Sequence, residues 1–310
     1  MLSSVFVIYA KDFREMDRHH PVSPAKAGAQ VSSASRVQRN LDPGLRREDG
    51  RRAIERAVAG PASLQIVVKR LTYASGFQIE PHWHERAQFL FAVKGTMAVR
   101  TARCAWIVPT SRALWIPSRA VHEIEMQGDV EMRTVYLHPR SSADLWPACV
   151  VLEVTPLLRE LIVRASDESA GAAEDHDLLM RLLVAEIRRL RTCAFDLPLP
   201  ASADLMQLCE RTMADLAERH SERADAEHVS QSARTVYRRF LKETGISFAR
   251  WKQQARLLEA IRRLSAGAAV TAVAFDLGYQ SPGAFSTMFR RALDIAPRDF
   301  IREMREGRRS

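Results

Sequence analysis

Apolar residues follow two distinct rhythms along this chain of 310 residues. From Leu64 to about Arg140 they come in short runs, LQIVVKRLTY, QFLFAVKGTMAVRT and CAWIVP, divided by Gly, Pro and Ser at spacings too tight for long helices. That pattern predicts an all-β region. Between 150 and 220 the rhythm becomes helical. In TPLLRELIVRAS, Thr155 stands as an N-cap ahead of Pro156 at the first helical position, and Leu179, Leu182, Leu183, Ile187 and Leu190 form one stripe of DLLMRLLVAEIRRLR. SDESAGAAED reads as the loop between these helices, and DLPLP at 196–200 as a linker. From Ala203 onward everything reads as helix and tight turn.

Within that last third a block occurs twice. Phe240, Gly245, Ile246 and Trp251 of FLKETGISFARW match Phe289, Asp294, Ile295 and Phe300 of FRRALDIAPRDF, all 49 positions apart. Gly and Asp at the matched turn share a tolerance for the left-handed backbone that commonly ends a helix. Upstream of the second copy, AVTAVAFDLG supplies a short helix with Val270, Val273, Ala274 and Leu277 inward, and Gly278 permits a turn. Ser281 then caps a new helix, Pro282 occupies its first position, and Phe285, Met288 and Phe289 form its buried stripe. The exposed side carries Gln280, Ser281, Gly283, Ser286, Thr287 and Arg290, where a major groove can be read or phosphates gripped.

The first copy, EHVSQSARTVYRRF, repeats the plan with Ser232 as cap and Val236 and Phe240 inward. Arg234, Thr235, Arg238 and Arg239 are then available to DNA. Between the copies, SFARWKQQARLLEAIRRL has Ser247 as cap and Phe248, Trp251, Ala255, Leu258 and Ile261 on one face. A helix of about 18 residues is roughly 27 Å long. Such a strut can hold two recognition helices about one DNA turn apart, since major-groove faces recur at roughly 34 Å.

Charge sharpens this picture. The formal net charge is +9, but residues 61–202 carry 16 basic and 16 acidic side chains while 228–302 carry 13 basic against 5 acidic. A purely structural bundle accounts for the apolar stripes, yet not for duplication, capped turns and localised positive charge together. Residues 17–52, rich in Ser, Pro, Gly and Arg, cannot close a core, so 1–60 is expected to be a poorly ordered basic extension. SPAKAG and LDPGLRREDG within it are similar to peptides encoded by dispersed bacterial repeats, which implies an accretion or a misplaced start; a basic arm reaching for DNA is the alternative. The four cysteines are widely spaced with no Cys-x-x-Cys, which indicates neither a disulfide framework nor a thiolate zinc site and fits a reducing cytoplasm. No apolar stretch is long enough for a bilayer span.

Residues 203–303, above all WKQQARLLEAIRRLSAGAAVTAVAFDLGYQSPGAFSTMFRRALDIAPRDF, resemble the AraC/XylS family of transcription regulators. The resemblance implies two helix-turn-helix motifs joined by a long helix. Where relatives show a Leu-Ala pair, a turn Gly and an apolar residue, this chain has Asp225-Ala226, Ser230 and Gln231, and Gly283 weakens the second recognition helix.

GFQIEPHWHERAQFLFAVKG and SRALWIPSRAVHEIEM are similar to the two motifs of the cupin family, a small β-barrel. Alternation puts His82 and His84 on one strand face, and Pro117 and His122 fall in register with the second motif. Imidazole nitrogens suit Zn, Fe, Ni or Cu. The usual carboxylate is here Gln88, the usual Gly is Arg119, and the last polar position is Met126. A divalent metal on His82, His84, Gln88 and His122 is therefore open but not favoured, against a polar effector pocket or hydrogen-bonded histidines. Trp83, Phe89, Phe91, Trp106 and Trp115 could wall such a pocket, and His19, His20, His138 and His220 fall outside the pattern.

The expected fold is α+β in two domains, an N-terminal cupin-like β-barrel followed by an all-α domain with two helix-turn-helix motifs. The expected divisions are the extension over 1–60, the barrel sensor over 61–145, a helical linker over 146–202 and the DNA-binding domain over 203–310. The combination implies a cytoplasmic bacterial regulator, not an enzyme, whose partners are double-stranded promoter DNA, a small-molecule effector and a second copy in a homodimer, with no membrane. The rival is a metal-dependent cupin enzyme carrying a DNA-binding domain.

Overall fold

A computed structural model describes residues 65–167, 173–193, 196–214, 216 and 233–306. The extension expected over 1–60, and the first helix of the first motif with Asp225, Ala226, Ser230, Gln231 and Ser232, lie outside the described residues.

Six strands open the structure: β1 (Ile66–Tyr73), β2 (Gln78–His82), β3 (Ala87–Arg100), β4 (Cys104–Val108), β5 (Arg112–Ile116) and β6 (His122–Leu137). The two long ones, β3 and β6, pair antiparallel over almost their full length. Each changes outer neighbour half-way: β3 pairs first with β5 and then with β4, while β6 pairs first with β2 and then with β1. One sheet is thus folded across its two central strands into two leaves. The fold line is marked by register shifts between Ala92 and Thr96, with Gly95 at φ +81°. No larger residue fits there, because a Cβ would collide with the carbonyl oxygen of Asp129.

Alternation sorts the side chains. Leu90, Ala92, Leu114, Ile116, Ile124, Met126 and Met132 join one core cluster, while Phe89, Phe91, Val93, Ala113, Trp115, Val135 and Leu137 join another on the opposite face. The second face is covered by α2 (Pro156–Ser166) and α3 (Ala173–Arg188), which follow the single turn α1 (Pro139–Ser142). These helices bring Leu158, Ile162, Met180, Leu183 and Ile187 down onto the sheet. Thr155 caps α2 as expected, its hydroxyl accepting from the Leu158 amide at 3.2 Å. Each large side chain so buried contributes on the order of 1.5–3 kcal/mol.

Residues 146–202 are not the helical linker expected. Strand β7 (Val150–Glu153) pairs with β5, β8 (Thr192–Cys193) pairs with β7, and β9 (Leu197–Pro198) pairs with β4. These strands of two to four residues are too short to display a period of two, and the strong helical stripe between them masks them.

The C-terminal part is helical: α4 (Ala203–Ala214), α5 (Ala233–Thr244), α6 (Phe248–Ser265), α7 (Val270–Asp276), α8 (Pro282–Leu293) and α9 (Pro297–Glu306). Central α6 has the expected 18 residues and the expected cap, Ser247 accepting from the Arg250 amide. Its Trp251, Ala255, Leu258 and Ile261 are buried, and the Trp251 indole donates to the Pro198 carbonyl at 2.8 Å, joining the helices to the sheet. No helix among the described residues is long and apolar enough to cross a membrane.

Candidate functional site

Helix α8 is built as the sequence predicts. Ser281 has extended backbone, and its hydroxyl accepts from the Ala284 amide at 3.1 Å; Pro282 follows where a missing N–H costs nothing. Phe285, Phe289 and Leu293 are buried, and Met288 is half-buried. The opposite side presents Gln280, Ser281, Gly283, Thr287 and Arg290, with Ser286 half-buried. Thr287 returns its hydroxyl to the Gly283 carbonyl at 3.0 Å.

Helix α5 buries Val236 and Phe240 and exposes Arg234 and Arg238, with Thr235 half-buried. Arg239 departs from the expected set. Its guanidinium donates to both carboxylate oxygens of Asp204, at 2.7 and 3.0 Å, and so ties α5 to α4. Asp204 lies 35 residues upstream, so spacing along the helix gave no sign of the pair.

The two repeats share their geometry as well as their residues. Gly245 at φ +76° and Asp294 at φ +57° make the same left-handed turn. Phe240 meets Trp251 edge-on at 6.1 Å, and Phe289 meets Phe300 edge-on at 5.5 Å. Both helices are therefore held by one device used twice, with their polar faces turned outward.

The second constellation lies inside the sheet. Antiparallel pairing places His82 of β2 directly across from His122 of β6, with ring centroids 4.3 Å apart. Strand β2 ends at His82, so alternation is not what brings in His84. His84 sits in the following turn, where its Nδ1 faces the Arg86 carbonyl at 2.5 Å. His82 Nδ1 likewise faces the Glu80 carbonyl at 2.9 Å, and His122 Nδ1 the Ala120 carbonyl at 2.8 Å. A carbonyl only accepts, so His82 and His122 carry the proton on Nδ1 and a lone pair on Nε2, whereas His84 faces an oxygen acceptor with each of its ring nitrogens. A ligand nitrogen from each ring lies within 4.8 Å of the others.

Around them stand Gln88, Thr134 and Tyr136, all buried. The Gln88 amide nitrogen donates to the Thr134 hydroxyl at 3.0 Å and the Tyr136 hydroxyl at 3.3 Å, while its oxygen faces His84 Nε2 at 3.0 Å. Burial holds the His84 pKa below the ordinary imidazole value and that of His122 well below it, with His82 adding to the effect at His122. Thr134 and Tyr136 escape a motif search. Their signal was polar groups at alternate positions of the apolar run MRTVYL.

The donor set fits a metal ion. His122 is 1% exposed, yet its Nε2 has no hydrogen-bond partner, while its Nδ1 is fixed by a backbone carbonyl. Outer-shell bonds to Nδ1 that orient Nε2 are what histidine ligands ordinarily require.

The proposed aromatic wall is mostly elsewhere. Phe89, Phe91 and Trp115 point to the opposite sheet face beneath α2 and α3, and Trp83 is half-exposed. Trp106 belongs to the first cluster with Leu90 and Ile124. Phe89 and Phe91 alternate with Gln88 and Leu90, so once Gln88 faces inward they cannot. Arg119, at the expected glycine, does adopt a glycine-like φ of +65°, and its amide donates to the His84 carbonyl at 2.9 Å. His138, expected outside the pattern as a solvated or locally bonded ring, caps α1 by accepting from the Arg140 amide.

Comparison with known proteins assigns both halves. The profile of the AraC-like ligand binding domain matches residues 69–184, and that of a helix-turn-helix domain matches 226–303, together more than half of the chain. The transcriptional regulator NimR of Escherichia coli K12 is 28% identical over 222 residues, spanning 71% of this chain and 81% of NimR. The transcriptional activator RhaS of Escherichia coli O139:H28 is 30% identical over 161 residues, or 51% of this chain and 56% of RhaS. Among solved structures, the DNA-binding domain of AdpA in complex with a target DNA is 30% identical, with a TM-score of 0.33, covering 35% of this chain and 99% of that domain.

Proposed function

The chain belongs to the AraC/XylS family of transcription regulators, and we propose that it recognises promoter DNA through α5 and α8 while sensing a small molecule inside the folded sheet. The observation that carries this reading is the duplicated turn and aromatic pair, which fixes two outward helices, α5 and α8, that precede and follow one 18-residue helix along the chain. Arg234, Arg238 and Arg290 grip phosphates; Gln280, Ser281 and Thr287 stand nearer the base edges, with Thr235, Gly283 and Ser286 beside them. Arg239 acts as a positioning residue through Asp204. A second copy on a paired half-site and a cytoplasmic location go with this reading.

The sheet domain is a sensor rather than a catalyst. Its relatives are transcription regulators. Titrating an enriched DNA fragment at several salt concentrations tests the DNA half. Arg290→Ala is expected to weaken binding and to reduce the slope of log K against log salt by about one. Wild-type affinity and slope in that variant would remove α8 from the interface.

A further inference from the structure

A cleft of about 230 Å³ lies where the folded sheet meets the helical part, and its walls do not include the three histidines. On the sheet side stand Ile107 of β4, Arg112 at the start of β5 and Glu153 at the end of β7; on the helical side stand Ile261 of α6, Asp294 at the cap of α8 and Phe300 of α9. We infer that this cleft binds a small apolar α-amino acid, with its carboxylate on Arg112, its ammonium between Glu153 and Asp294, and its side chain against Ile261 and Phe300. The site goes beyond the sensor reading, since it lies outside the sheet interior.

The charges select the ligand. Arg112 is buried, and its Nη1 donates to the Ser111 carbonyl at 3.0 Å. Strand pairing sets Glu153 directly across from it, but guanidinium and carboxylate stand 3.9 Å apart, too far for a hydrogen bond. Arg112, Glu153 and Asp294 all act electrostatically on the sulfur of Cys193 in β8, so both signs of charge gather at one end of the cleft. A simple anion meets two carboxylates there, and a simple amine meets the guanidinium; a zwitterion satisfies both signs at once. The planar guanidinium fork matches a carboxylate, and an ammonium has three donors to share between two acids.

Size and place narrow it further. The cleft is smaller than the roughly 300–1,000 Å³ of drug-sized ligand pockets, so its occupant is small, and such pockets occur preferentially where domains meet. Asp294 is also the left-handed cap of α8, whose opposite end begins at Ser281. A ligand held by Arg112 and Asp294 together ties one end of that helix to the sheet and is released when the two halves part.

The full chain is titrated by calorimetry with L-leucine and L-phenylalanine at neutral pH. At least one is expected to bind one-to-one. Its analogue without the ammonium (isocaproate or phenylpropionate) and its analogue without the carboxylate (isoamylamine or phenethylamine) are expected to bind at least about tenfold more weakly, the worth of one charged hydrogen bond. Asp294→Asn removes the charge but keeps a residue that tolerates the left-handed turn, so the fold survives while affinity falls by roughly the same factor. Glu153→Gln, at a half-exposed strand end, is expected to act likewise. The inference is overturned if neither amino acid binds one-to-one, if an analogue binds as well as its parent, or if the double variant with both substitutions binds as wild type does. Binding that His82→Ala abolishes and the double variant keeps would place the ligand in the sheet interior and overturn it too. DNA titration of the unliganded chain is a separate measurement, whose failure strikes the DNA-binding reading and leaves the cleft untouched.

Discussion

Gly245 and Asp294 close two helices with the same left-handed turn, but glycine does so without steric cost and aspartate does not. Nothing lies within 4 Å of where a Gly245 Cβ would be, so any penalty there comes from the backbone alone. Gly245→Ala is therefore expected to destabilise by about 1 kcal/mol. Gly283 is the opposite case. It has no positive φ, and its nearest obstacle is the Ser281 hydroxyl at 3.8 Å, so Gly283→Ala is expected to stabilise by up to about 1 kcal/mol. Thermal melting of the two variants should move in opposite directions, and equal shifts would refute the distinction. The matched turn is visible in the sequence because both residue types declare their backbone preference. Arg239 is a different case: an exposed-looking arginine on a recognition helix announces nothing about a carboxylate on α4, and only the packing of α5 against α4 discloses it.

At the scale of elements, α6 does more than span a distance. Its Glu259 is 1% exposed and is bound by Arg262 at 2.6 and 2.7 Å and by Arg263 at 2.7 Å, while Arg263 reaches Asp276 at the end of α7 at 3.0 Å. Burial alone would raise the Glu259 pKa; the two guanidiniums more than offset this and hold it below the ordinary carboxylate value. A carboxyl lowered on folding contributes stability that is complete above its unfolded pKa, near 4.3, and is lost as pH falls through the folded value. The acid limb of the stability curve should accordingly be shallower in Glu259→Gln than in wild type, measured by denaturant unfolding between neutral and acid pH; identical limbs would show that the network contributes nothing. Strand β6 works on two faces in a comparable way. His122, Ile124 and Met126 are buried, while between them Glu123 approaches Arg100 at 3.5 Å and Glu125 acts electrostatically on Arg262 of the strut. A single strand thus carries both a histidine of the site and a carboxylate whose charge acts on Arg262 of α6. The long strands and helices were legible because their periods run for many residues. β7, β8 and β9 were not, since pairing partners rather than local pattern define strands that short. Alternation put His84 beside His82, but β2 ends at His82, and it is the Arg86 carbonyl that orients the His84 ring.

For the whole molecule, the uneven charge takes on a physical meaning. The sheet half is balanced, while the excess of 13 basic over 5 acidic residues in 228–302 sits on the half that carries the duplicated helices. Long-range attraction brings that half to a polyanion and is weakened by salt, whereas reading of sequence depends on the spacing of α5 and α8. The rigid element between them is one helix of 18 residues, roughly 27 Å. Selection of binding fragments by the full chain from a random-sequence duplex pool tests that spacing most directly. The account predicts two enriched blocks whose centres lie about 10 to 10.5 base pairs apart. Substituting Arg234 and Arg238 together with alanine should erase one block, and Arg290→Ala should weaken the other. Enrichment of a single block, or of two blocks at no fixed separation, would contradict it.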